Sequence, residues 1–292
     1  MKALPLKPPR TNADRLVEIG VQAEVAHPTH PGTYSVDSYG RPIILPGMAG
    51  VVVNARVGDL VFPWAADHLE PGVSAGNPRR DRYQALQFLS CVGNVVRVLT
   101  GPAAGAEGRV TGKHAFVLVD FPQEALDVLA PGDGLLVRAV GQGLRFLDFD
   151  DVAARSCSPA LVEGMGIEVT ANGRLRVAIT AEVPAFMMGA GLGMSSEWAN
   201  CDVMFTRREV VERLGFEHVR LGDVVAMHDQ DHRFGRGYRA GALAFGVVAH
   251  GGYGGIPGHG MGVATIFSGP RERFELVQSG GANLRNHLSL AD

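Results

Sequence analysis

Residues 98–121 read VLTGPAAGAEGRVTGKHAFVLVDF. Four glycines (Gly101, Gly105, Gly108, Gly112) cut this stretch into short runs that end in the β-branched string Val117-Leu118-Val119. Glycine supplies turns and close approaches at no steric cost, and valine prefers a pleated, half-buried surface, so the stretch predicts strand, turn, strand. The same grammar continues outward in both directions. Apolar or β-branched runs recur at 50–53, 59–64, 92–99, 115–120, 134–140, 174–183, 223–227, 241–249 and 262–267, separated by Gly, Pro, Asn or Asp. Helical signals are fewer: 79–89, 122–129, a helix opened by Ser158-Pro159, and 206–214, where Thr206 and Glu209 form a capping box and Gly215 ends the run. The fold class expected is mainly β (α+β): two β-rich modules with short helices. A Pro- and Lys-containing arm over 1–15 precedes an N-terminal module over 16–156 and a C-terminal module over 157–292.

Bulk composition narrows the function classes. The 292 residues are 46% hydrophobic and 20% charged, with a net charge of −3, which describes an ordinary soluble domain pair with no global pull toward nucleic acid or anionic membrane. Glycine accounts for 39 residues, well above the roughly 7% of average usage, which suits many tight turns. Three cysteines, Cys91, Cys157 and Cys201, contain no CxxC pair and indicate neither a disulfide framework nor a zinc knuckle. Neither a leader-like apolar stretch nor a membrane-length apolar run is present, so a cytoplasmic location is expected. The 98–121 stretch also resembles the KOW-type turn of small SH3-like barrels in ribosomal proteins and transcription factors. That resemblance implies a barrel element in the first module and offers RNA as a partner, which the net charge argues against.

A second pattern carries the chemistry. RVGDLVFPWAADH (Arg56–His68) is echoed without a gap by RLGDVVAMHDQDH (Arg220–His232). Each is an Arg-x-Gly-Asp turn, an apolar strand and a terminal Asp-His. In the first copy Asp67, His68 and Glu70 fall within four positions; on an extended strand His68 and Glu70 share a side, where imidazole and carboxylate can ligate a divalent cation or act as base and orienter. The second copy reads as a polar loop, with Asp231 and His232 as ligands and Arg236 able to fix a substrate carboxylate. Asp202, two residues after Asn200, is a further carboxylate ligand. In HGGYGGIPGHGMGVAT (His250–Thr265), the bare backbone of Gly258 and Gly260 can receive an anion, and His259 between them is a candidate base. His114, in Gly112-Lys113-His114, is another. Cys201 reads as a buried structural thiol.

DHLEPGVS, GRVTGKH, PAFMMGAGLG, ANCDVMF, RLGDVVAMHDQDHRFGR and GHGMGVATIFSG, in that order over about residues 45–285, resemble a bacterial and archaeal two-module family of unknown function. Met261 departs from that pattern, where a proline is expected. The order Asn200, Asp202, Gly222-Asp223, Asp231-His232 is also similar to that of acetamidase/formamidase enzymes, β-rich hydrolases that activate water with a divalent metal. That similarity implies ligand roles for Asp202, Asp231 and His232. The function expected is a metal-dependent hydrolase or lyase of a small amide or carboxylate substrate. Zn, Mn or Mg would be held by Asp67, His68, Asp202, Asp231 and His232; Glu70, His114 or His259 would serve as base; and Arg236, Gly258 and Gly260 would bind substrate. The competing expectation is a non-catalytic β-rich homo-oligomer in which the Asp-His turns are structural.

Overall fold

The structure, a computed structural model, describes residues 7–29, 34–37, 39–204, 208–252 and 260–291. In the first module six strands close on themselves: β1 (Ile19–Val25), β2 (Gly72–Gly76), β3 (Val95–Val98), β4 (Glu107–Lys113), β5 (Val117–Asp120) and β6 (Gly134–Ala139). Around the barrel the order is β1–β6–β3–β4–β5–β2, and β2 returns to β1 through Glu24↔Gly76 and Val25↔Ala75. Every neighbouring pair is antiparallel. Period-2 alternation does the sorting: along β1, Val21, Ala23 and Val25 turn inward to meet Val73, Val96, Val110 and Val137. The glycines of 98–121 have distinct tasks here. Gly101 and Gly105 take positive φ in the β3–β4 turn, while a Cβ at Gly108 would stand 2.3 Å from the Asp120 carbonyl oxygen.

The second module is built on a sheet of β7 (Ala153–Ala154), β8 (Ala181–Val183), β9 (Cys201–Met204), β10 (Val224–Asp231), β11 (Gly237–His250) and β12 (Gly260–Pro270). Its order is β7–β12–β11–β10–β8, with β9 also on β12. The central strands β11 and β12 are buried through nine or more successive residues, as expected of strands covered on both faces. A smaller sheet joins Glu168–Val169, Leu175–Ile179 and Phe274–Gln278. Short helices complete the chain, at Arg80–Leu89, Gln123–Leu126, Pro159–Gly164, Arg208–Arg213 and Leu284–His287. Ser158 caps the third, its hydroxyl accepting from the Leu161 N–H at 3.1 Å. The predicted cap Thr206 lies outside the described residues. No helix among the described residues is long and apolar enough to cross a membrane.

Three local expectations are corrected. Residues 59–64 form turns and bends rather than a strand, because their backbone groups pair with the other module. Residues 228–231 are not a loop: β10 runs through them, interrupted by a bulge at Asp229, whose φ is +53°. The 1–15 arm is tied down where it is described, with Lys7 bridged to Val169 and Thr11 to Phe146. Beside these, Ala153–Ala154 pair with β12.

The repeated Arg-x-Gly-Asp turns form the latch between modules. In each, the aspartate carboxylate accepts from the backbone N–H of the arginine three residues earlier, Asp59 from Arg56 at 2.8 Å and Asp223 from Arg220 at 2.9 Å. Gly58 and Gly222 hold φ near +102° and +84°. The two turns face each other: Gly58 N–H donates to Leu221 O, Leu221 N–H to Asp59 O, and Val61 N–H to Val219 O. Gly58 and Val61 therefore spend their backbone donors, and Asp59 its carbonyl, on the C-terminal module, as buried amides must find partners somewhere.

A second joint lies where β4 crosses β11. A Cβ at Gly112 would stand 2.5 Å from the Cβ of Ala249, so only glycine lets the barrel strand approach the sheet this closely. Gly112→Val is expected to cost about 1–3 kcal/mol by overpacking, read as a lower urea midpoint at unchanged slope. Gly237→Ala, whose added methyl would meet nothing within 4 Å, should stay within about 0.5 kcal/mol of the parent. Equal midpoints for the two variants would show that the crossing is not close-packed.

Candidate functional site

The two joints bring together side chains that neither module could assemble alone. His68 and Glu70 lie in the segment entering β2, and His114 immediately follows β4; all three belong to the barrel module. From the sheet come His250, the last residue of β11, and Asn200 and Asp202 at the start of β9, on the face opposite Cys201. The Gly251 N–H donates to Leu69 O at 2.9 Å and fixes the His68–Glu70 segment against His250. The imidazoles of His68, His114 and His250 form a triangle, with ring centroids 4.9 Å apart for His68–His114, 5.2 Å for His68–His250 and 4.2 Å for His114–His250.

Two rings are anchored through Nδ1, His114 on Glu70 at 2.6 Å and His250 on the Gly251 carbonyl at 2.9 Å, while His68 Nδ1 lies 3.0 Å from Asp67 Oδ1 without hydrogen-bond geometry. For His114 and His250 these partners assign the proton to Nδ1 and leave Nε2 as the basic nitrogen. Glu70 is itself held, accepting from the Ala49 N–H at 2.8 Å and from the Ser74 hydroxyl. On the sheet side the Asn200 amide nitrogen lies 2.9 Å from both Asp202 Oδ1 and His250 Nε2, and Asp202 Oδ1 is 3.6 Å from that same nitrogen. Among the described residues, no group of three or more His, Cys, Asp or Glu side chains already stands around a metal position.

Burial and charge oppose each other across the cluster. Burial pushes the Glu70 carboxyl up, but His114, Ser74 and the Ala49 N–H outweigh it and hold the group below the usual carboxylate range. Burial also pushes His114 down, aided by His250 and opposed by Glu70. His250 is pushed down by burial, yet Asp202 and the Gly251 carbonyl more than offset this and raise it. Asp202, pushed up by burial, is brought low by His250. Backbone strain gathers here too. Of the five described non-glycine residues at positive φ, Ala49 donates to Glu70, His68 is in the triangle, and Ala199 precedes Asn200. Such strain persists where surrounding structure over-determines it, commonly at functional sites.

Several candidates do not join this cluster. Asp231 is occupied by arginines: Arg233 reaches its two oxygens at 2.7 and 2.9 Å and Arg239 one at 3.2 Å. His232 is fully buried, its Nδ1 on the Thr265 hydroxyl at 2.8 Å and its carbonyl accepting from Ser196 and Arg155. Burial, with the Arg236 charge second, pushes this imidazole down to about 3. Arg236 is buried and donates to the carbonyls of Gly191 and Trp198, so its guanidinium clamps that loop, away from the three imidazoles. The positions matched to the acetamidase order are thus divided, Asp202 in the seam and Asp231-His232 elsewhere. Gly260 starts β12 opposite Met204, and the departing Met261 is a buried core residue of that strand. Gly258 and His259 lie outside the described residues. The expected alignment of His68 and Glu70 along a strand does not occur, since His68 has φ near +51°; both reach His114 from an irregular segment instead.

Sequence reasoning missed His250 as a site residue. Its signal was modest: a lone histidine closing a buried apolar strand and followed by Gly-Gly, much as His114 closes β4. Gly262 was a further clue, because a Cβ there would stand 1.9 Å from His250 Nε2 and 2.2 Å from the Asn200 amide nitrogen.

Comparison with known proteins agrees with the two-module architecture. The family described as "Domain of unknown function (DUF4438), N-terminal" matches residues 34–163, and its C-terminal counterpart matches residues 164–288. The crystal structure of TM1086 is similar at 40% identity and a TM-score of 0.92, covering 97% of this chain and 100% of that one. No curated protein matches.

The burial of His232 has a measurable consequence. Its folded-state value of about 3 lies below the ordinary 6.5, so below about pH 6.5 the unfolded chain gains a proton that the folded chain refuses. This contribution to stability is complete above about pH 6.5 and is lost as pH falls toward 3. Thermal melts at pH 7 and 4.5 should show a smaller acid-side loss in Tm for His232→Gln than for the parent. Identical losses would mean that His232 does not titrate on unfolding.

Proposed function

We propose that this chain, which belongs to the DUF4438 family through both of its modules, is a hydrolase or lyase of a small amide or carboxylate compound, with its reaction centre at the seam cluster. The observation that carries this is the triangle of His68, His114 and His250, two of its imidazoles oriented through Nδ1 and the group flanked by the carboxylates of Glu70 and Asp202. A purely structural polar core needs satisfied partners, not three adjacent rings that repel one another when charged and cost free energy to bury. Oriented imidazoles backed by carboxylates are the equipment of proton transfer to and from water.

For an amide, the reaction runs as follows. A water oxygen adds to the carbonyl carbon and gives its proton to the imidazole–carboxylate centre; the C–N bond breaks; and the leaving nitrogen takes up that proton. The side-chain amide of Asn200, which now spans Asp202 and His250, is the neutral donor that, once released from His250, holds a carbonyl oxygen as it gains charge. Glu70 keeps His114 in one tautomer, as an orienting carboxylate does for a catalytic histidine. The site belongs to neither module, in keeping with the preference of small-molecule sites for domain interfaces.

The test is ammonia or amine release from a panel of short-chain amides and carboxylate-bearing amides by the full chain. His114→Gln should lower kcat by about 10²-fold or more, whereas Asp231→Asn should leave it within a few-fold. Turnover unchanged by His114→Gln and by Glu70→Gln would overturn the assignment.

A further inference from the structure

We infer that the seam holds one transition-metal ion, ligated by Nε2 of His68, His114 and His250 with Asp202 completing the set. The inference rests on the proposed function for the location of the reaction and adds the agent that activates the water. Three observations carry it. The first is the outer shell: His114 and His250 are tethered at Nδ1, to Glu70 and the Gly251 carbonyl, and His68 Nδ1 stands 3.0 Å from the Asp67 carboxylate. Metal-bound histidines are almost always anchored in this way, and the tether leaves Nε2 for the metal.

The second is the size of the triangle. With a metal–nitrogen bond of about 2.0–2.1 Å, each ring centroid stands about 3.2 Å from the ion, so two rings lie about 4.5 Å apart at a right angle and about 5.2 Å apart at the tetrahedral angle. The observed separations of 4.2, 4.9 and 5.2 Å fall close to this range. His68 and His114 stack nearly parallel, 9° apart, so a side-chain rotation brings both Nε2 atoms onto one ion, while His250 already lies tilted at 47° and 46° to them. The third is charge: Asp67, Glu70 and Asp202 place three carboxylates around three imidazoles, and among the described residues the partners of Glu70 and Asp202 are Ala49, Ser74, His114, Asn200 and His250, with no Lys or Arg side chain hydrogen-bonded to either. A divalent cation compensates that charge.

The donors also choose the metal. Three imidazoles and one carboxylate suit zinc, iron, cobalt, nickel or manganese; magnesium and calcium prefer all-oxygen sites. The Asn200 amide nitrogen now lies between His250 Nε2 and Asp202 Oδ1, both 2.9 Å away. Entry of the ion displaces it, freeing the amide to meet a substrate carbonyl. The close approach at Gly262 keeps this space open, since a methyl there would occupy it.

The experiment uses the full chain, stripped with chelator and titrated with Co²⁺ and Zn²⁺ by visible absorption and calorimetry. One ion per chain is expected, with cobalt d–d bands and a rise in Tm. Glu70→Gln should weaken binding about 10–100-fold, and His68→Ala and His114→Gln by more than that, while Asp231→Asn and His232→Gln leave stoichiometry and affinity unchanged. Folding of each variant is checked by circular dichroism; His68 serves as the primary variant because it is not fully buried. No stoichiometric binding, or binding indifferent to His68→Ala and His114→Gln, overturns the inference. Amide turnover that survives chelation would sink the metal while leaving the proposed function intact; metal binding as expected with no turnover across the panel would do the reverse.

Discussion

The crossing of β4 over β11, where Gly112 meets Ala249, is the constraint on which the rest depends. Two strands from different modules approach within the reach of one missing side chain, and each ends in a histidine within two residues of the crossing. His114 leaves β4 and His250 closes β11, so their rings come to lie 4.2 Å apart between centroids. The Arg-x-Gly-Asp latch holds this crossing in register from a distance by exchanging backbone hydrogen bonds between the two turns. The Gly251 N–H then draws the His68–Glu70 segment onto the same point. Packing, turn chemistry and the site are thus one arrangement: separating the modules would dissolve the cluster.

Burying so many ionisable groups is expensive, and the local design offsets the cost by giving nearly every polar atom a partner. Glu70 accepts from a backbone amide, a hydroxyl and an imidazole; Asp202 has Asn200 and His250. The polar cluster around His232 and Arg236 is different in kind. Its groups donate to loop carbonyls and pair within the second module, holding the 189–200 loop that delivers Asn200 to the seam. That supporting role explains why the second Asp-His pair carries the same letters as the first without sharing its surroundings.

Much of the fold was legible because period-2 alternation and glycine turns are local properties. The barrel strands, the Ser158 cap and the two-module division follow from residues near one another in the chain. The 59–64 run misled, since its apolar alternation resembles a strand while its backbone partners lie some 160 positions away, at Val219 and Leu221. The site was half legible for the same reason. Glu70, His68, His114 and Asp202 were recognisable as reactive types in suggestive company, but their assembly depends on the crossing at Gly112, which no spacing within the sequence reveals. His250 was hidden at the end of an apolar strand, and the richer polar density of residues 228–236 drew attention to Asp231 and His232, whose side chains pair with Arg233, Arg239 and Thr265 away from the seam.

The central claim is that the seam between modules, and neither Asp-His repeat by itself, is where this protein binds its reactive agent. The most direct measurement is anomalous scattering from crystals of the full chain grown with zinc, recorded on both sides of the zinc edge. The account predicts one strong peak about 2.0–2.1 Å from the Nε2 atoms of His68, His114 and His250, with the Asn200 amide turned away from His250. A peak beside Asp231 and His232, or no ordered peak with the three imidazoles unmoved, would contradict it.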